Sequence, residues 1–281
     1  MSAPGRSQAL IPEPFKGEGT PVTASTPPLR VAIAQIPMHW EMADNVRTMQ
    51  HAMQRARGEG AAVCAFAELA VTGFHRRVVE WAQPELIDAA LAELRRSAAA
   101  LGIAAAFGAP TFAADGSRFN SHLFVDARGD LVGVVSKVGL TAPEATFFAA
   151  GHQRPVLTLA GVPCSAVICR EIEDHDQLTQ QLAGSGVRVL FWPGQMRPDP
   201  AKPPQDPPEH VLRAQALARA TGAAIVQTNW PNALNRPDES AHTGRSACIG
   251  ADGELLFRLP EQGFGIGVFN LGDRHHDWHP V

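Results

Sequence analysis

Three segments of this chain each set one reactive side chain beside an apolar run. They are residues 66–74 (FAELAVTGF) with Glu68, 134–140 (VVSKVGL) with Lys137, and 165–174 (SAVICREIED) with Cys169. A thiol, a carboxylate and an ammonium are the parts needed to attack a carbonyl carbon. The thiol is the nucleophile, the carboxylate takes and returns protons, and the ammonium meets the oxyanion that forms. Each residue alone has an ordinary explanation. An unpaired Cys finishing a strand is commonly core. A Lys closing a strand commonly guards an exposed edge. A Glu between apolar runs is expensive unless it is paired. It is the combination that points to chemistry.

The surrounding pattern predicts elements able to hold the three together. Residues 31–35 read as a buried strand. Met42, Val46, Met49, Met53 and Ala56 then recur at three- and four-residue spacing, one face of a helix that Gly58 and Gly60 end. Residues 62–66 predict a second buried strand running directly into Glu68, which completes a βαβ unit. A helix over 85–101 turns Leu86, Ala89, Ala90, Leu94 and Ala98 to the core. Strands over 119–126 and 131–136 flank a hairpin turn at 127–130, and Lys137 closes the second strand. A strand over 162–169 ends on Cys169 and is followed by a helix over 174–183 and a strand over 187–191. A Pro-rich loop, 197–208, leads to a helix over 209–221 ended by Gly222, then a strand over 223–228. Asp252-Gly253 marks a hairpin between 247–250 and 255–259. All three reactive residues thus follow strands, and α/β sheets bind ligands beyond the carboxyl ends of their strands. Cys164, five residues before Cys169, falls on the opposite strand face by the period of two. It reads as core, as do Cys64 and Cys248.

Composition narrows the classes. With 281 residues, 45% hydrophobic and 19% charged, the chain matches a soluble globular protein. Elements alternate without a break over 30–272, which predicts one domain between an N-terminal flexible tail (1–29) and a C-terminal tail (273–281). A net charge of -4 leaves no basic footprint for nucleic acid. Ala9-Leu10-Ile11 is too short for a signal-peptide core. The uncharged stretch 97–114 contains Gly102, Gly108 and Pro110 and reads as a helix end, a turn and a strand rather than a membrane span. The four cysteines form no CxxC pair, which disfavours zinc-ribbon and thioredoxin motifs, and such sparse thiols suit a reducing cytoplasm. His275, His276, Asp277 and His279 match no zinc spacing and read as a solvated tail.

Six segments, in order, resemble the nitrilase (carbon–nitrogen hydrolase) superfamily. F-x-E-L-x-x-T-G-F at 66–74 is similar to its Glu motif, Ser136-Lys137 with Leu140 to its Lys motif, and I-C-x-E at 168–171 to its Cys motif. Glu144 opens an E-x-x-F-F-x-x-G stretch, Arg213-Ala-Gln-Ala resembles the R-A-x-A helix, and Gly244-Arg-Ser246 leads to Asp252-Gly253. The resemblance implies a four-layer αββα sandwich of two mixed β-sheets flanked by helices. It also implies a Glu68-Lys137-Cys169 triad and a second glutamate, Glu144, that positions the base or the lysine. The backbone N–H of Arg170 is implied as an oxyanion donor, and pairing of subunits through helices into a homodimer is implied as well. The implied activity is hydrolysis of a small linear amide through a cysteine thioester, without a cofactor. Phe74, His75, Glu171, Trp192 and Gln195 are candidates for the substrate pocket.

Three departures bear on specificity. Arg170 stands where nitrilases commonly carry Trp, the Tyr-Asp of many amidases is missing, and Ile172 stands where carbamoylases often place an Arg. Nitrilase and N-carbamoyl hydrolase activity are therefore alternatives to amide hydrolysis. Acyl transfer by the same thioester, or a non-catalytic binding role, are readings of other classes. The charged run 170–175 has two readings: selection of a polar or cationic substrate, or acids favoured at a helix N-terminus by its dipole.

Overall fold

In the computed structural model, residues 28–280 are described apart from Pro200 and Pro204. Most of the expected N-terminal tail, 1–27, lies outside the described residues. The first half of the chain runs β1 (Arg30–Gln35), α1 (Met42–Gly58), β2 (Val63–Ala65), α2 (Val78–Trp81), α3 (Pro84–Leu101), β3 (Ala104–Phe112), β4 (Arg118–Val125) and β5 (Leu131–Ser136). The second half runs β6 (Leu157–Leu159), β7 (Val162–Ala166), α4 (His175–Leu182), β8 (Val189–Gly194), α5 (Glu209–Thr221), β9 (Ala224–Asn229), β10 (Ala247–Ile249), β11 (Leu255–Arg258), β12 (Gly265–Asn270) and β13 (Asp277–Pro280). Short 3-10 turns at Glu144–Thr146 and Cys169–Glu173 carry two of the site residues.

The strands form a seven-stranded sheet, ordered β13-β12-β1-β2-β3-β4-β5, and a six-stranded sheet, ordered β11-β10-β9-β8-β7-β6. Both are mixed. β1, β2 and β3 pair in parallel in the first, as do β7, β8 and β9 in the second, and hairpins add the antiparallel flanks. Alternation along the strands builds three cores. Val31 and Ile33 of β1 point between the sheets with Phe124, Phe191 and Val226. Ala32 and Ala34 of the same strand point outward under Met49, Met53, Ile87 and Leu94 of α1 and α3. Leu190, Trp192 and Ile225 face outward in the second sheet, under Leu178 of α4 and Val211 and Leu217 of α5. Helix, sheet, sheet and helix make the four-layer αββα sandwich. Each sheet has both faces covered, as its near-continuous apolar strands require.

Four details differ from the sequence reading. The α3 face centres on Ile87, and Ala89 is exposed, because the helix begins at Pro84 after an extended Gln83. The strand before Cys169 stops at Ala166, so alternation does not extend over five residues, and Cys164 and Cys169 share the inter-sheet core. Residues 273–281 are not simply a solvated tail. β13 pairs with β12 from Val268↔Asp277 to Gly265↔Pro280, and His276 stacks on Phe257 at 4.3 Å. An edge strand needs backbone partners more than apolar alternation, so its charged residues hid it. The short α2 and β6, and β12, also escaped the periodicity. Among the described residues no helix is long and apolar enough to cross a membrane.

Candidate active site

Glu68 leaves the sheet just beyond β2, in a turn that only a glycine neighbour admits. A Cβ on Gly108 of β3 would lie 2.2 Å from the Leu69 nitrogen, and Leu69 itself sits at φ +51°. The indole N–H of Trp230 donates to the Glu68 carbonyl at 2.8 Å and fixes the turn from the second sheet. Lys137 lies one residue past β5. Its backbone N–H donates to the Asn120 carbonyl of β4 at 2.8 Å. Cys169 opens a 3-10 turn beyond β7 at φ +54°, a conformation costly for a residue with a Cβ. Its carbonyl accepts the Trp192 indole N–H at 3.0 Å, and Gly194 packs against its Cα. These anchors hold the strained turn.

The side chains meet in a buried cluster. Glu68 and Lys137 are each 1% exposed and Cys169 is 9% exposed. The Lys137 ammonium donates to Glu68 Oε1 at 2.8 Å and to Glu144 Oε1 at 2.5 Å. Glu144 Oε2 accepts the Thr141 N–H at 2.8 Å and its hydroxyl at 2.9 Å. Asn120, which sequence reasoning missed, donates its amide to Glu68 Oε1 at 2.7 Å and reaches Glu144 Oε1 at 3.5 Å. A buried Asn in the strand RFNSHLFV was the available signal. Glu68 Oε1 is therefore fully engaged, while Oε2 has no hydrogen-bond partner among the described residues. That leaves Oε2 as the atom able to take a proton.

The electrostatics follow from burial and these contacts. Burial pushes the Glu68 carboxyl above the ordinary range, with Lys137 opposing and Glu144 adding to the rise. Burial also acts against the Lys137 charge, but Glu68, Cys169 and Glu144 outweigh it and hold the ammonium above the usual lysine range. Glu144 is held below the ordinary range despite burial, by Lys137 and Thr141. The Cys169 thiol is pushed up by burial and by the Glu68 charge, against the pull of Lys137 and the backbone N–H of Gln195. Cys169 is thus held as a thiol. A thiol of this kind needs an ionised base beside it at the moment of attack. With Glu68 read as that base, its raised carboxyl predicts that kcat/KM falls on the acid side at a pH above the ~4.3 of a free glutamate. A pH–rate profile whose acid limb sits at or below that value would contradict the assignment.

Several pocket candidates lie elsewhere. Glu171 is fully buried and paired with Arg154 at 2.5 Å, so it faces neither substrate nor solvent. Arg170 pairs with Asp174 at 2.6 Å, so the charged run is largely satisfied within the protein. Its backbone N–H lies in the first turn of the 3-10 element, where backbone donors lack an intrahelical partner. Trp192 packs under α4 and α5 on the outer face of the sheet, with only its N–H touching Cys169. His75 is buried against Trp40 and hydrogen-bonds to the His39 carbonyl at 3.0 Å, and Phe74 packs on the α1–α3 core. The Gln195 side chain donates to the Asn232 carbonyl at 2.9 Å, and it is its backbone N–H that acts on the thiol. Met196, unforeseen, puts its sulfur 3.7 Å from the Cys169 sulfur. Among the described residues no group of three or more His, Cys, Asp or Glu side chains could hold a metal ion.

Comparison with known proteins agrees with this architecture. The chain resembles the crystal structure of an amidase from Nesterenkonia sp. with a TM-score of 0.74 at 23% identity, over 88% of this chain and 91% of that one. A double mutant of the same amidase in complex with acrylamide gives 0.75 at 22% identity, over 94% of both chains. A further mutant carries the acetamide moiety of fluoroacetamide covalently on its active-site cysteine. It gives 0.75 at 22% identity, over 87% of this chain and 90% of that one. No curated protein matches the chain. The model of the carbon-nitrogen hydrolase family matches residues 30–271, the whole of both sheets except β13, and the chain belongs to that family.

Proposed function

We propose that the protein hydrolyses the carbon–nitrogen bond of a small linear amide through a thioester on Cys169. The observation that carries this reading is the division of labour on Glu68, with Oε1 held by Lys137 and Asn120 and Oε2 left without a partner beside a neutral thiol. In the first half-reaction Glu68 takes the thiol proton as sulfur attacks the amide carbon. Lys137 and the Arg170 N–H stabilise the oxyanion. The oxyanion collapses, the C–N bond breaks, and Glu68 hands the proton to the leaving nitrogen, so ammonia or an amine departs. In the second half-reaction Glu68 deprotonates a water that attacks the thioester carbon. The C–S bond breaks, the carboxylic acid leaves, and sulfur regains its proton. The cysteine of the Nesterenkonia amidase mutant that carries the acetamide moiety of fluoroacetamide covalently supports a nucleophilic Cys169 by analogy.

Crowding around the sulfur favours a small substrate. Met196 lies against it, and Gly194 packs closely, since a Cβ there would stand 3.2 Å from the Cys169 Cα. Ammonia release across amides, nitriles and carbamoyl compounds tests the class, and intact mass after brief mixing tests the thioester. Turnover confined to nitriles or carbamoyl compounds, or release without any mass added to the protein, would reject the proposal.

We further propose that the protein works as a homodimer in the reducing cytoplasm. All four cysteines are unpaired. Leu212 of α5 is 43% exposed on the outward face, whereas Leu217 is fully buried. Leu212→Asp should give a folded monomer by light scattering, and Leu217→Asp should unfold the chain because it buries an unpaired charge. A monomer of about 30 kDa for the parent protein at micromolar concentration would refute the dimer.

A further inference from the structure

We propose that Glu171, gripped by Arg154, is a positioning residue that sets the separation of Lys137 and Cys169. The proposal rests on the reading of those two residues as oxyanion donor and nucleophile. The Glu171 carboxylate is fully buried and lies between the two loops that carry them. Oε1 accepts the backbone N–H of Val138 at 2.6 Å and of Gly139 at 2.8 Å, the two residues that follow Lys137. Oε2 accepts the N–H of Ile168 at 2.6 Å, the residue that precedes Cys169. One side chain thus ties the end of β5, on the edge of the first sheet, to the end of β7 in the second.

Arg154 completes the clasp. Its guanidinium donates to Oε2 at 2.8 Å through Nη1 and to Oε1 at 2.5 Å through Nη2. Nη1 also reaches the Ala166 carbonyl at 3.2 Å, and Nε donates to Gln181 of α4 at 3.0 Å. Five donors therefore converge on one carboxylate, and the cation is itself tied to β7 and to the outer helix. The two loops meet with little slack. A Cβ on Gly139 would stand 2.5 Å from Asp174 Oδ2 and 2.9 Å from Arg170 Nη1. A bidentate carboxylate–guanidinium pair fixes direction as well as distance. Displacing a reacting group by about 1 Å can cost about 10²-fold in rate.

Glu171→Gln tests this at constant size. An amide must turn its NH2 toward backbone or guanidinium donors, so at least one loop loses its acceptor. The expected result is a folded protein with kcat lowered about 10²-fold and KM little changed. Alkylation of Cys169 by iodoacetamide, followed by intact mass against pH, should need a higher pH than in the parent. With Lys137 drawn away, less positive charge favours the thiolate. A residue needed only for stability would lower the melting temperature and leave both the alkylation profile and kcat in place. Arg154→Lys serves as the second variant. It keeps the charge balance but gives up the two-point grip, and should show the same signs to a smaller degree. Parent-like kcat and alkylation in either folded variant would overturn the proposal. If the parent turned over no amide, the proposed function would fail, and the alkylation arm would still decide this one.

Discussion

Cys169→Ala is expected to abolish ammonia release and to leave the thermal melting of the protein near that of the parent. In the proposed mechanism the sulfur is the atom that bonds to the substrate carbon, and no other side chain of the cluster is placed to replace it. Asn120 and Trp230 carry polar groups, but these are committed to Glu68. Removing one small thiol at the surface of the inter-sheet core costs little packing, since its near contact is the flexible Met196. The turn is held by the Trp192 indole on the Cys169 carbonyl, which alanine retains. Cys164→Ala is the control. It removes the same atom from the same core, where the Cys164 thiol is pushed up to about 12 by burial and has neither Glu68 nor Lys137 acting on it. That variant should keep most of its activity. Substantial turnover by Cys169→Ala with normal melting would remove the nucleophile from the mechanism.

Lys137→Met should lower kcat by more than the ~10²–10³ expected for loss of one oxyanion donor. Met keeps the length of the side chain and deletes the charge. The ammonium bridges Glu68 and Glu144 inside the protein, so its loss leaves two buried carboxylates facing each other. The Glu68 carboxyl, already raised by burial and by Glu144, then rises further and gives up its proton less readily. The variant therefore loses the base together with the oxyanion donor. The sign of the stability effect follows. A carboxyl whose folded pKa is raised binds its proton more tightly in the folded chain than in the unfolded one. The variant should thus be most stable below the free-glutamate pKa and lose stability as pH rises through the raised value. Melting temperatures measured from mildly acidic to mildly alkaline pH would show this decline. A changed KM with unchanged kcat would contradict the role.

The same residues show what was legible before the fold was known. Glu68, Lys137 and Cys169 could be picked out because each ends or follows an apolar run, and strand ends are where α/β sheets place ligands. The pairing of Glu144 with Lys137 was anticipated only through the resemblance, and the contact at 2.5 Å agrees with it. Asn120 was not visible, because a polar residue in a strand has no local signature that says which carboxylate it will meet 52 positions away. Glu171 was misplaced for a related reason. Its charge and its position beside Cys169 suggested the pocket, whereas Arg154, 17 residues earlier, turned it inward.

Local sequence by itself determined most of the elements, the inward and outward faces of the strands, and the choice of Glu68, Lys137 and Cys169 as candidates. Those properties depend on period, capping and apolar content within a dozen residues. Tertiary structure alone decided which atom of Glu68 lacks a partner among the described residues, that burial raises the Cys169 thiol, and that Glu171 turns inward onto Arg154. It also decided that the charged C-terminal segment closes the first sheet as β13. Each of these depends on which groups from distant segments are brought within about 3 Å, at hydrogen-bonding range, and on how much water is left between them.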